Sequence, residues 1–248
     1  MNEFEFKCFY DRIGRMNGWN FSKVKCISEG EQWDFYGEVM RRCKPSDLLL
    51  DIGTGGGEAL LGLAGAALLL IGIDSSPGMI EAAQANRAAS GKSNVRMLQM
   101  DAGELDFPES LFNVVSCRHA PFSAKEACRV LVKGGMFLTQ QVSEDDKLNL
   151  KSAFGRNREV HTDGTLQNQY IAELREAGFR DIQSFEYDAT EYYETYEDVL
   201  FLLKHAPIIP DFGKLEHDFA ILEAFLERHR TSKGIMTNSK RFMITAVK

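Results

Sequence analysis

Short apolar runs that end in a polar residue alternate along the chain with stretches of helical spacing, and that succession predicts alternating strands and helices. Leu48-Leu-Leu-Asp51 is an apolar run closed by a carboxylate, and Leu68-Leu-Leu-Ile-Gly-Ile-Asp74 is a second. Val95-Arg-Met-Leu-Gln-Met100 leads into Asp101, Phe112-Asn-Val-Val-Ser-Cys117 is a fourth run, and Phe137-Leu-Thr-Gln-Gln-Val142 a fifth. Near-continuous apolar runs of this length suit strands covered by helices on both faces, which is the pattern of a doubly wound α/β sheet. The stretch Ala59 to Ile73 divides into a helix and then the second strand, and another helix starts near Pro77. After strand five, Ser143–Lys147 is a polar loop. Leu166 to Ala177 is an amphipathic helix closed by Gly178, and Arg180–Tyr187 and Arg241–Val247 alternate as strands. Between those two strands lies an insert, Tyr192–Gly234, with helices expected over Tyr196–His205 and Leu215–Arg230 on either side of Pro207 and Pro210.

Residues 1–39 form an aromatic-rich lead with Phe4, Phe6, Phe9, Tyr10, Trp19, Phe21, Trp33, Phe35 and Tyr36, too apolar for a disordered tail. Helical spacing of Trp33, Tyr36 and Met40 predicts a helix within 29–43, stopped by Pro45. The segment is expected to be a helical extension or lid over a ligand pocket, with Tyr10 or Trp33 facing the ligand. Simple docking of the aromatics on the core is the plainer reading for most of them.

The chemistry concentrates in Asp51-Ile-Gly-Thr-Gly-Gly-Gly-Glu58, where a buried strand turns into a helix. Gly53, Gly55 and Gly57 suit positive φ or a close approach of backbone to ligand, although a glycine-rich turn in another kind of α/β protein has the same look. A dinucleotide fingerprint wants Gly-x-Gly-x-x-Gly/Ala, and here the sixth position is Glu58. A carboxylate repels a pyrophosphate at a helix N-terminus but tolerates a ligand carrying ammonium and sulfonium charges, as S-adenosylmethionine does. Asp74 follows the first glycine at the spacing of a ribose-hydroxyl acceptor, and the other reading is an N-cap for the helix at Pro77. Met79 suits a purine face or plain core. Asp101 and the Ala102 amide suit an adenine edge, whereas a lone Asp there is more often a turn residue. In series with Asp51 and Asp74, at three successive strand ends, it joins a constellation.

On these residues the chain resembles the class I S-adenosylmethionine-dependent methyltransferases, in particular the branch with a methyltransferase type 11 domain, over roughly residues 40–145 and more weakly beyond. The resemblance implies a Rossmann-like seven-stranded sheet with an antiparallel last strand, 1–39 as an extension, 40–248 as the methyltransferase domain and 192–234 as its helical insert. It implies that Asp51, Gly53, Thr54, Gly55 and Gly57 cradle the methionine part of the cofactor. Asp74, with Ser75 beside it, would hold the ribose, Met79 would pack on the adenine, and Asp101 with Ala102 would read its edge. Arg118 or its carbonyl would fall near the methionine end. Asn113 stands where the family often has Asp, and Lys133 where a proline is common. The implied reaction is an in-line displacement that needs the acceptor atom about 3 Å from the methyl carbon. His119 is the candidate base or acceptor-orienting residue, against a structural role for a lone loop histidine. Gln140 and Gln141 are candidates to fix a polar substrate, or else to satisfy loop backbone. A nicotinamide (NAD(P)-dependent) oxidoreductase and a non-catalytic cofactor or partner binder of the same fold are the competing readings.

Composition narrows the partners. With 248 residues, 44% hydrophobic, the chain can bury one sizeable core, and one domain with extensions is expected. The net charge of −7 and the lack of a dense basic stripe disfavour a nucleic-acid substrate and favour a small-molecule acceptor. Arg228, Arg230, Lys233, Lys240 and Arg241 read as solvated surface. The scattered cysteines Cys8, Cys26, Cys43, Cys117 and Cys128 read as reduced thiols of a cytoplasmic protein, and the histidines show no metal-ligand pairing, so no metal is expected. The N-terminal residues lack a signal-peptide core, and the most apolar stretch is too short to span a bilayer.

Overall fold

A computed structural model describes residues 24–156 and 164–248, together with Cys8 and Arg12. Phe4, Phe6, Phe9, Tyr10, Trp19 and Phe21 of the aromatic lead, and His161, lie outside the described residues. Among the described residues nine strands form one sheet: β1 (Cys26–Glu29), β2 (Leu48–Ile52), β3 (Leu69–Asp74), β4 (Val95–Gln99), β5 (Phe112–Arg118), β6 (Leu131–Val142), β7 (Arg180–Tyr193), β8 (Arg230–Thr231) and β9 (Gly234–Val247). Their order is β1-β7-β9-β6-β5-β2-β3-β4, with β8 on β9. The block from β4 to β6 is parallel, while β9 runs antiparallel to both β6 and β7. The seven strands expected from the sequence are all present. The two short strands, β1 and β8, carry the sheet beyond that count.

Helices cover both faces: α1 (Phe35–Arg42), α2 (Glu58–Gly62) and α3 (Pro77–Ser90) on one, α4 (Ala124–Val130) and α6 (Thr165–Glu176) on the other. Phe35, Val39, Leu60 and Ala83 pack with Leu49, Leu70 and Val114 on the first face, and Ala127, Val130 and Leu174 with Leu50, Val115 and Phe137 on the second. The helix expected within 29–43 is shorter than its spacing suggested. Gly30 sits at φ +98°, β1 occupies Cys26–Glu29, and Asp34 caps the helix by accepting from Gly37 N at 3.1 Å.

The largest departure from the sequence reading is the length of β7 and β9, 14 residues each against five for β2 and six for β3. They pair continuously from Gln183↔Thr245 to Tyr193↔Ile235, so the hairpin overhangs the C-terminal ends of the parallel strands. On the overhang sit α5 (Leu148–Phe154), α7 (Tyr196–His205) and α8 (Asp218–His229). A separate apolar core gathers Leu150, Phe154, Val199, Leu203, Leu222 and Phe225 against Tyr193 and Ile235. Helix α5 had no counterpart in the sequence reading. Helix α8 starts at Asp218, because the Asp218 carboxylate accepts from Gly213 N at 2.7 Å and holds the residues before it as turns.

Candidate active site

The glycine loop is held from below by β3. Gly53 N and Thr54 N both donate to Ile73 O at 2.9 Å, and Gly55 N donates to Asp74 Oδ2 at 3.0 Å. Gly53, Gly55 and Gly57 take φ of +73°, +57° and +75°. A Cβ on Gly53 would stand 2.2 Å from Ala120 Cβ, so glycine lets the loop after β5 close onto the loop after β2. Glu58, at the start of α2, is exposed and accepts from Asn86 Nδ2 at 3.2 Å.

The three acids at the strand ends have different surroundings. Asp51 is 1% exposed, accepts from Ser116 Oγ at 2.7 Å through Oδ1, and leaves Oδ2 without a partner among the described residues. Burial raises its carboxyl to about 6, against the pull of Ser116, Thr54 and Arg118. Thr54 Oγ1 is likewise buried and unpartnered. Asp74 accepts from Gly55 N through one oxygen and from Ser76 N at 2.9 Å through the other, and burial raises its pKa too. The cap of α3 is Ser76, whose Oγ accepts from Met79 N, so Asp74 is free of the capping role that competed for it. Asp101 is exposed and accepts from Gly103 N at 2.7 Å, a turn bond that leaves its second oxygen open. Ser75 is exposed, Met79 is 2% exposed on the first turn of α3, and Ala102 packs on the core after β4.

The loop after β5 brings Arg118 and His119 to the same edge. Arg118 is exposed, with its guanidinium carbon 5.7 Å from the Tyr36 ring centre. His119 has φ +55°, a left-handed backbone found more often in His than in most side chains, and its N–H donates to Gln140 O at 2.8 Å. Its ring Nε2 lies 3.1 Å from Gln140 Nε2, and Trp33 Nε1 donates to Gln140 Oε1 at 2.7 Å. Burial and the charges of Arg241, Arg118 and Lys147 hold the imidazole well below its ordinary pKa, so it is neutral at neutral pH. Gln141 Nε2 donates to Ala120 O at 2.9 Å and steadies the same loop.

Next to this group, β7 and β9 contribute a polar wall that the sequence did not reveal. Lys147 is 2% exposed at φ +54°, with Nζ 2.8 Å from Glu191 and 3.0 Å from Asn238 O. Arg241 pairs with Asp146, and Tyr193 donates to Glu191 at 2.6 Å. Arg241 and Lys240, read as solvated surface, are therefore tied into the sheet, Lys240 through a 3.6 Å approach to Glu186. Among the described residues no cluster of three or more His, Cys, Asp or Glu has a metal-holding arrangement, and no helix is long and apolar enough to cross a membrane.

Comparison with known proteins converges on one kind of domain. Residues 49–135 match the family described as Methyltransferase domain. The chain is 31% identical over 121 residues to the uncharacterized methyltransferase YcgJ of Bacillus subtilis, covering 46% of this chain and 47% of that protein. It is 30% identical over 136 residues to the demethylmenaquinone methyltransferase of Symbiobacterium thermophilum, covering 50% and 53%. The chain thus spans about half the length of the curated relatives it matches. The crystal structure of YcgJ superposes with a TM-score of 0.62 at 21% identity over 86% of this chain and 97% of that one. The [4+2]-cyclase SpnF superposes with a TM-score of 0.60 at 19% identity over 98% and 95%. At such identities the likeness is one of fold.

Proposed function

We propose that the chain is a class I S-adenosylmethionine-dependent methyltransferase and that it transfers a methyl group from S-adenosylmethionine to a small-molecule acceptor, a reading supported by the matched methyltransferase domain and by the fold. One observation carries the reading. The glycine loop buries a carboxylate oxygen, Asp51 Oδ2, and a hydroxyl oxygen, Thr54 Oγ1, neither of which is in a well-formed hydrogen bond among the described residues, although Thr54 and the Tyr36 hydroxyl lie close enough to bear on the Asp51 charge. A buried polar atom without a partner costs roughly 1–3 kcal/mol, so a site that keeps two of them is supported as one completed by a ligand. A cationic ammonium suits Asp51, whereas a pyrophosphate does not.

When bound, the cofactor supplies a methyl carbon on a positively charged sulfur. Asp74 fixes the glycine loop through Gly55 N and keeps lone pairs for a vicinal diol, since a carboxylate offers about four acceptor positions and two are in use. The open oxygen of Asp101 and the Ala102 amide suit an adenine edge, with Ser75 and Met79 beside it. Arg118 and His119 border the acceptor side, where His119 orients the acceptor. The acidic charge balance of −7 supports a small molecule over a nucleic acid, and the free cysteines suit a cytoplasmic setting.

Calorimetry with S-adenosylmethionine, S-adenosylhomocysteine and NAD tests the cofactor. Binding of the two sulfur nucleosides and not of NAD is expected, and the reverse would end the proposal. The fold of SpnF shows that this architecture also serves a cyclase, so transfer of label from methyl-labelled cofactor into a metabolite extract is the second test. Cofactor binding with no label transferred to any acceptor would leave a binder and not a methyltransferase.

A further inference from the structure

Three side chains from distant parts of the chain form one directional hydrogen-bond relay. Trp33 Nε1 donates to Gln140 Oε1 at 2.7 Å, and Gln140 Nε2 lies 3.1 Å from His119 Nε2. An indole N–H only donates, so the amide oxygen of Gln140 faces Trp33 and its NH2 faces the histidine. The NH2 also only donates, so His119 Nε2 is the acceptor and the single proton of the neutral ring sits on Nδ1. Neither partner is loose. Gln140 is 3% exposed and also accepts the backbone N–H of His119, while Trp33 lies against Tyr187 with ring centres 4.5 Å apart. Among the described residues no group bonds to His119 Nδ1.

We infer that Trp33 and Gln140 are positioning residues that lock His119 as an Nδ1–H donor, so that it orients the acceptor and does not act as a general base. Only the word acceptor rests on the methyl-transfer reading; the tautomer does not. The ring's one lone pair is engaged by Gln140, and the cations around it, Arg118 on β5, Arg241 on β9 and Lys147 after β6, oppose protonation. Asp146 and Glu191, the acids of the same wall, are taken by Arg241 and Lys147, and Tyr187 lies beyond Trp33. The acceptor class that fits presents an oxygen lone pair, as a carbonyl, carboxylate or phenolate does, to Nδ1–H. In the transfer the carbon–sulfur bond breaks, the bond to the acceptor atom forms, and any proton that atom carried passes to solvent.

Nitrogen-15 NMR of the full chain with labelled histidine, without cofactor, reads the tautomer directly, and the His119→Asn variant assigns the resonances. The expected result near neutral pH is a pyrrole-like Nδ1 and a pyridine-like Nε2. Gln140→Glu offers an acceptor in place of the donor, which should move the ring proton to Nε2 and raise the His119 titration midpoint by about 1 pH unit or more. Trp33→Phe frees the amide to turn and should give a mixture of tautomers. A wild-type ring protonated on Nε2, or a Gln140→Glu protein whose His119 signals do not move, would overturn the inference. If Gln140→Glu does not fold, the wild-type spectrum decides alone. Calorimetry that failed to find cofactor binding would sink the methyl-transfer reading and leave this result standing.

Discussion

At the end of β2 and in the glycine loop after it the protein leaves buried polar atoms without well-formed hydrogen bonds, as at Asp51 Oδ2 and Thr54 Oγ1, while beside β6, β7 and β9 it pairs Lys147 with Glu191 and Arg241 with Asp146, leaving Glu144 Oε2 the unpaired oxygen of that wall among the described residues. Both regions are polar and enclosed, yet they answer the desolvation cost in opposite ways. The first holds a charge unbalanced and tolerates a carboxyl raised to about 6. The second cancels Lys147 against Glu191 and Arg241 against Asp146, and so fixes the shape of the loop that follows β6. Unspent hydrogen-bonding capacity marks the place prepared for a ligand; balanced capacity marks the frame around it.

If that contrast is right, the heaviest stability cost belongs to the wall. Lys147→Met strips the partner from Glu191 inside the protein and should lower unfolding free energy by about 3–5 kcal/mol in urea titration, with a loss under about 1 kcal/mol breaking the comparison. Asp74→Ala, in the glycine-loop half, removes the acceptor of Gly55 N together with the proposed diol contact. It should weaken cofactor binding by about 1–3 kcal/mol by calorimetry, and unchanged affinity would remove Asp74 from the site.

The smallest change sharpens the contrast most, because it should split stability from binding. Asp51 has a folded pKa above its unfolded value, so its contribution favours the fold below about 3.8 and is lost as pH rises through about 6. Asp51→Asn keeps an acceptor for Ser116 but buries an amide NH2, so a net gain on the order of 1 kcal/mol is expected near neutral pH, together with weaker cofactor binding. In the wild type, affinity for the cationic cofactor should fall by up to about tenfold per pH unit below about 6, as Asp51 takes up its proton. Affinity flat through that range would mean that Asp51 does not face the ligand's charge.

The first half of the site was legible in the sequence because each of its parts is local. An apolar run, its terminal acid and the glycines after it fall within about a dozen residues of one another, so period and turn chemistry agree without tertiary information. Even there Asp74-Ser-Ser-Pro held two possible caps, and only the backbone geometry chose Ser76. The second half was not legible. Gln140 and Trp33 were visible as candidates, but nothing in their own neighbourhoods joined them to each other or to His119. The far part of β9, Thr237-Asn-Ser-Lys240, shows no apolar alternation because its inward residues line a polar wall, so the strand signal faded where the strand continued. Arg241 read as surface and Lys147 as the end of a polar loop for the same reason, since a buried cation is recognised by its partner and not by its place in the chain.

The overhanging pair of long strands makes the upper storey of the protein a cantilever. Its helices rest on an apolar nucleus of their own, hung from β7 and β9 beyond the last rung that β6 shares with β9. Residues there lie apart from the bonds that Ile73 and Asp74 make to the glycine loop. On the methyl-transfer reading proposed above, new acceptors would be open to this scaffold by retooling the upper storey, at no expense to the glycine loop.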